Sequence, residues 1–181
     1  LGADDAMILV SSEADPEGYV HNQYQQYHKN LKVEGGEMFE HLKNCKLLAL
    51  NGRLIEGLSI NTQPAYNEQQ ALAIAMNIIG ATQYAWEDSD MEEDLQEMTG
   101  DPNATYYPAG KLMLAYEPNS SLNASNFKLS WLFEIVSVQP ASLKTVYVNA
   151  QNGTVLKIFD NADFNGPCTT LYDGSQTLDT K

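Results

Sequence analysis

The hydrophobic period of this chain changes twice, and no other feature constrains its fold as much. Up to Gln63-Pro64, apolar and aromatic residues come in short alternating runs. They then recur at Ala71, Leu72, Ile74, Ala75, Ile78 and Ile79, and alternation resumes from Lys111. Alternation puts every second side chain on one face of a strand, whereas recurrence at three and four residues draws one stripe along a helix. A chain read as strands, then helix, then strands belongs to the α+β class, with antiparallel sheets packed against helix.

Within the first part, Ala6 to Glu13 leads through Pro16-Glu17-Gly18 into Tyr19 to Tyr27, which is a hairpin signal. Val33 to Leu42 and Lys46 to Leu50 are two further strands, and Asn51-Gly52 before Arg53-Leu54-Ile55 predicts a tight type I′ turn. The helix that follows has both ends marked. Asn67 can cap it with Gln70 reaching back, and Gly80 offers a left-handed exit. Asn, Thr, Gln and Pro crowd Ser59 to Tyr66, which reads as a linker between two small domains. Glu87 to Glu97 carries Met91, Leu95 and Met98 on one stripe of a second helix. Strands are predicted over Lys111–Tyr116, Leu129–Gln139, Lys144–Asn149 and Thr154–Phe159, with Gln151-Asn152-Gly153 as the last turn. Thr169 to Leu178 is a strand-like segment with no evident partner in the chain.

Charge and length narrow the function. With 181 residues, 43% of them hydrophobic, the chain can bury a core. A net charge of −14 would repel a nucleic-acid backbone or an anionic membrane face. Asp88, Asp90, Glu92 and Asp94 imitate a calcium loop, but Glu93 stands where its glycine is needed and Thr99 where its glutamate is needed, so a solvated acidic helix face is expected. His21, His28 and His41 lack the H-E-x-x-H spacing of a zinc peptidase and are expected in ordinary surface or packing roles. No nucleophile elbow or phosphate loop is present. Cys45 is expected as a buried thiol on a strand, while Cys168 lies in a polar tail and could pair beyond this chain. On an alternating strand Gln23, Gln25 and Tyr27 share one face and Tyr24 with Gln26 the other, so the amides would bond backbone while the tyrosines cover the core. Direct contact with a partner is the other reading of that run.

From His21 to Tyr27, then Val33-Glu34-Gly35-Gly36-Glu37, His41-Leu42 and Leu50-Asn51-Gly52, the order and spacing resemble the fungalysin/thermolysin propeptide motif, FTP. The family pattern is approximately R-Y-Q-Q-x-Y-x-G-x-x-V-x-G-A-E, then His-Leu and S-V-N-G. Here Asn30 replaces a glycine, Lys32 a proline and Gly36 an alanine. The second half is similar to a PepSY domain in Glu68-Gln69-Gln70-Ala71-Leu72, Leu129-Ser130-Trp131 and Val146 to Val155, with Asn149 and Asn152 for the usual Asp and Thr. Cys168 to Leu178 resembles the first strand of mature thermolysin-like peptidases.

The resemblance implies two cystatin-like α+β units, FTP over 1–60 and PepSY over 61–160. Residues 161–181 would hold the pro/mature junction and the first peptidase strand. It implies no catalysis here, but an intramolecular chaperone and inhibitor of a peptidase domain held in cis. Zinc or calcium is expected only in that absent domain, and the setting is secreted, periplasmic or extracellular, in a bacterium. Tyr24, Gln25, Gln26, Tyr27, Val33, Gly36, Glu37, His41, Asn51 and Gly52 would be structural or peptidase-contacting. Ala71, Trp131, Tyr147, Asn149, Asn152 and Gly153 mark the PepSY pattern. Phe159, Asp160, Asn161, Ala162, Asp163, Phe164, Asn165 and Gly166 would face the cleft or hold the cleavage site. A free-standing secreted PepSY-type inhibitor or peptide-binding module is the alternative.

Overall fold

The structure is a computed structural model that describes residues 2–161, 166–170 and 174–178. Its strands are β1 (Asp5–Ala14), β2 (Tyr19–His28), β3 (Leu31–Lys43), β4 (Lys46–Arg53), β5 (Gln83–Tyr84), β6 (Lys111–Tyr116), β7 (Phe127–Gln139), β8 (Ala141–Asn149), β9 (Val155–Asp160), β10 (Gly166–Thr170) and β11 (Gly174–Leu178). The helices are α1 (Glu68–Ile79) and α2 (Ser89–Thr99). The fold is α+β, and its large sheet is mixed: β1-β2-β3-β6-β7-β8-β9, with β4 also on β3 and β5 on β7. Among the described residues all ladders are antiparallel except β3 with β6, which run parallel through Lys32↔Met113 and Val33↔Leu114.

Residues 5–53 are a four-stranded ribbon without a helix, so the expected helix on each sheet is found only in the second half. Its hairpins turn on an aspartate cap and on residue pairs held in left-handed backbone. Asp15 Oδ1 accepts from Glu17 N and Tyr19 N and folds β1 onto β2. Lys29 and Asn30 have φ of 48° and 65°, and Asn44 and Cys45 have 50° and 58°, the paired left-handed conformations of type I′ turns. Cys45 is therefore an exposed free thiol in a turn, not a buried one on a strand. Asn51-Gly52 makes no turn. Both residues lie inside β4, opposite Phe39 and Met38. Gly52 is needed there because φ is 139° and a Cβ would run into the Glu37 carbonyl.

Helix α1 forms as its local chemistry dictates. Asn67 Oδ1 accepts from Gln70 N, the Gln70 side chain accepts from Asn67 N, and Gly80 closes the helix at φ 66°. It buries Ala71, Leu72 and Ala75 against Phe133, Ile135, Val146 and Val148, while Ile78, expected on the same stripe, is exposed. Helix α2 is capped by Asp88 and buries no residue, in keeping with an acidic solvated face. A second cluster joins Val33, Ile55 and Leu58 to Leu114, Phe127, Leu129 and Ala150. The segment between β4 and α1 is thus anchored, and the halves on either side of it share a core. Finally, β10 and β11 pair with each other from Gly166↔Leu178 to Thr170↔Gly174. The segment expected as one orphan strand is two strands, and folding back on itself satisfies edge groups that a lone strand would leave open.

Candidate functional site

Gln25, Gln26, Val33, Gly36 and Glu37 of the motif come together where β3 leaves one neighbour for another, whereas His41, Asn51 and Gly52 lie further along β3 and β4. Pairing of β2 with β3 runs His28↔Leu31 and Tyr27↔Lys32, then skips to Gln25↔Glu37. Residues 33–36 are looped out of that ladder, with Gly35 at φ 69°, and the excursion lets Val33 reach β6. Such a bulge strips backbone groups of partners, and two glutamines supply them. Gln25 Nε2 donates to the carbonyls of Val33 (2.7 Å), Gly36 (2.9 Å) and Gln26 (3.0 Å). Gln26 Nε2 donates to Ile55 O, and Gln26 Oε1 accepts from Ile55 N, each at 2.8 Å. Gly36 is buried directly against the Gln26 side chain.

The expected pairing of amides with backbone is therefore present, but the faces differ from strict alternation. Gln25, Gln26 and His28 are buried, while Tyr24 and Tyr27 are only half-buried, because the bulge breaks the two-residue period. Glu37, the last motif position here, pairs with Arg53 of β4.

Glu34, in the middle of the bulge, links the halves. It accepts from Lys157 Nζ of β9 and from Tyr116 N of β6, and the side chains of this ion pair are 19% and 5% exposed. Lys157 also lies over the rings of Tyr116 (4.1 Å) and Tyr147 (4.6 Å). Burial, followed by the Glu34 charge and its hydrogen bond, pushes the Tyr147 hydroxyl well above the usual phenol range. Sequence reasoning missed Glu34 and Lys157. Neither stands out in the chain, because β3 also carries Lys32, Glu37, Glu40 and Lys43 and β9 also carries Asp160.

Beyond the bulge the ribbon has an open apolar face. Directly opposed residues share a face. The sets Leu9↔Tyr24↔Met38, Val20↔Leu42↔Leu47 and Asn22↔Glu40↔Leu50 therefore form one surface. Leu9, Leu47 and Leu50 are 50%, 56% and 55% exposed. One polar knot interrupts it, where Asn22 Nδ2 and Tyr24 OH both donate to Glu40 Oε2. Burial, with the hydrogen bond and charge of Glu40, raises the Tyr24 hydroxyl.

In the second half the motif residues are architectural. Trp131 Nε1 donates to Tyr66 O, stacks on Phe133 and touches both core clusters. Ala71, on the inner face of α1, is fully buried. Asn149 Oδ1 accepts from Gln151 N, and Asn152 Oδ1 from Thr154 N, so either amide does what an aspartate would do in this turn. Gly153, at φ 73°, packs against Tyr66 and Ile74. At the end of β9, Phe159 is 48% exposed and edges onto the Tyr147 ring. Asn161 Nδ2 donates to Thr145 Oγ1. Of the other candidates, Ala162 to Asn165 lie outside the described residues, and Gly166 opens β10. Among the described residues no helix is long and apolar enough to cross a membrane.

Residues 5–54 match the Fungalysin/Thermolysin Propeptide Motif. Over 167 residues, 91% of this chain, the sequence is 25% identical to the thermostable neutral protease NprT of Geobacillus stearothermophilus. The chain spans 27% of that relative's length. The Bacillus megaterium YpeB C-terminal domain aligns with 85% of this chain and 56% of its own, at a TM-score of 0.41 and 9% identity. The first part of the chain is thus similar to a propeptide motif, and the match to a protease along most of the chain supports the resemblance to the pro-region of a thermolysin-like protease.

Proposed function

We propose that this chain is the pro-region of a secreted bacterial zinc metallopeptidase of the thermolysin type. In this reading it serves its own peptidase domain, in cis, as intramolecular chaperone and inhibitor until it is cut away. Residues 1–60 act as an FTP unit, 61–160 as a cystatin-like PepSY unit, and 161–181 as the junction and first peptidase strand. The observation that carries the reading is the open apolar face of Leu9, Val20, Met38, Leu42, Leu47 and Leu50, borne by the segment that matches the propeptide motif.

A covalent tether keeps the local concentration of the pro-region on the order of millimolar, so modest intrinsic affinity suffices for inhibition. A pro-region that binds the folding transition state also lowers a barrier that would otherwise trap a kinetically stable peptidase. Phe159 to Gly166 passes along the cleft, and cleavage falls near Asp163 to Cys168. Zinc or calcium would be held by the peptidase domain.

The test is refolding of the peptidase domain with and without this chain in trans. A higher yield of active enzyme, and loss of both chaperoning and inhibition in Leu47→Glu/Leu50→Glu, is expected; equal yields would remove the chaperone role. N-terminal sequencing of the released enzyme checks the junction, and a start before Phe159 or after Thr177 is incompatible with it.

A further inference from the structure

Spacing along the chain keeps His21 and His41 apart, but antiparallel pairing of β2 with β3 sets them directly opposite each other. Their Nδ1 atoms are 2.7 Å apart, with ring planes at 71°. Each ring also has an oxygen at its other nitrogen. Asn51 Oδ1 lies 2.8 Å from His41 Nε2, and Asp15 Oδ2 lies 3.4 Å from His21 Nε2. Amide and carboxylate oxygens only accept, so both rings are drawn to the tautomer with hydrogen on Nε2. Each Nδ1 then aims a lone pair at the other, and two acceptors at that distance call for a cation between them. A proton is one answer. A metal ion is the other, because an imidazole whose second N–H is held by an oxygen is the usual form of a histidine metal ligand.

We propose that His21 and His41 form a cross-strand, two-histidine site for a divalent ion of the zinc, nickel or copper class, with water completing the coordination. Imidazole suits these ions. Zinc–nitrogen bonds of about 2.0–2.1 Å at a tetrahedral angle place the two nitrogens about 3.4 Å apart. From 2.7 Å the nitrogens therefore part by about 0.7 Å, and the His21 side chain, 43% exposed, has the freedom to do so. No group of three or more His, Cys, Asp or Glu able to hold a metal occurs among the described residues. The site is accordingly open and exchangeable rather than a closed structural centre. Occupied, it clips β2 to β3 between the Asp15 turn and β4. It rests on the ribbon's geometry and is independent of the propeptide reading.

The experiment titrates the full, isotope-labelled chain with zinc chloride and follows the imidazole nitrogens by NMR. The Nδ1 signals of His21 and His41 should shift together and saturate at one equivalent, with those of His28 unmoved. Zinc should also raise the melting temperature of the wild type. His21→Ala should bind zinc at least tenfold more weakly and lose that rise, and Asn51→Ala should weaken binding about tenfold or more through the lost acceptor. The wild-type spectra do not depend on any variant folding. Nδ1 signals that follow pH but ignore zinc, or zinc shifts confined to carboxylates, would overturn the site.

Discussion

Gln26 is a fully buried polar side chain that closes two hydrogen bonds with one backbone residue, Ile55. Replacing it by leucine keeps the bulk and abandons a buried N–H and a buried carbonyl. Each should cost about 1–3 kcal/mol. Gln26→Leu is therefore expected to lower the urea midpoint with little change in slope, and a midpoint equal to that of the wild type would refute the staple. Glu34 is a second residue on which distant strands depend. Glu34→Ala leaves Lys157 buried without its counter-ion, at a cost of about 3–5 kcal/mol. The double variant Glu34→Leu/Lys157→Met should recover most of that loss, whereas additive losses would show that the pair is not coupled. The amides' attachment to backbone was legible in the Tyr-Gln-Gln-Tyr run. Which faces they occupy was not, because a bulge four residues long depends on a strand more than eighty residues away, Met113 and Leu114 of β6.

Legibility at the level of elements followed how local the determining chemistry is. The capping box and Gly80 of α1 lie within one turn of the helix they delimit, so both ends could be read from the chain. Turns at Lys29-Asn30 and Asn44-Cys45 carry no glycine and gave no such signal, while Asn51-Gly52 carried the signal without the turn. The glycine there answers to a neighbouring strand, which no short window reveals. The ribbon also has an acid-labile end. Burial would raise the Asp5 carboxyl, but hydrogen bonds from His28 and Gly2 N–H outweigh it and hold it below the usual range. Asp15 is lowered too, chiefly by the Tyr19 N–H, with help from His21 and the Glu17 N–H. Carboxyls depressed in the folded state give stability that is present above their unfolded pKa, about 3.9, and is lost as pH falls through the folded value. Melting of the ribbon, followed by circular dichroism, should therefore be insensitive to these groups between pH 7 and 5 and drop below about pH 4. Asp5→Asn should flatten that drop, and an unchanged acid limb would remove Asp5 as its cause.

At the scale of the molecule, the two stretches of strand on either side of α1 and α2 could be read separately, but their union in one sheet could not. A parallel ladder only two residue pairs long leaves almost no trace in periodicity. Ile55 and Leu58, immediately before the Ser59–Tyr66 stretch that composition marked as linker, are core residues seated against Leu114, Phe127 and Leu129. Glu56 and Gly57 between them are exposed. Cleavage after Glu56 by a glutamate-specific endopeptidase is expected to give a nicked product that co-elutes as a single species in size-exclusion chromatography, separating only in denaturant. Elution of two fragments under native conditions would count against the shared core. The shared core thus makes the peptide bond after Glu56 dispensable, and the two pieces should reconstitute from separate solutions as complementing fragments, each the template on which the other regains its shape.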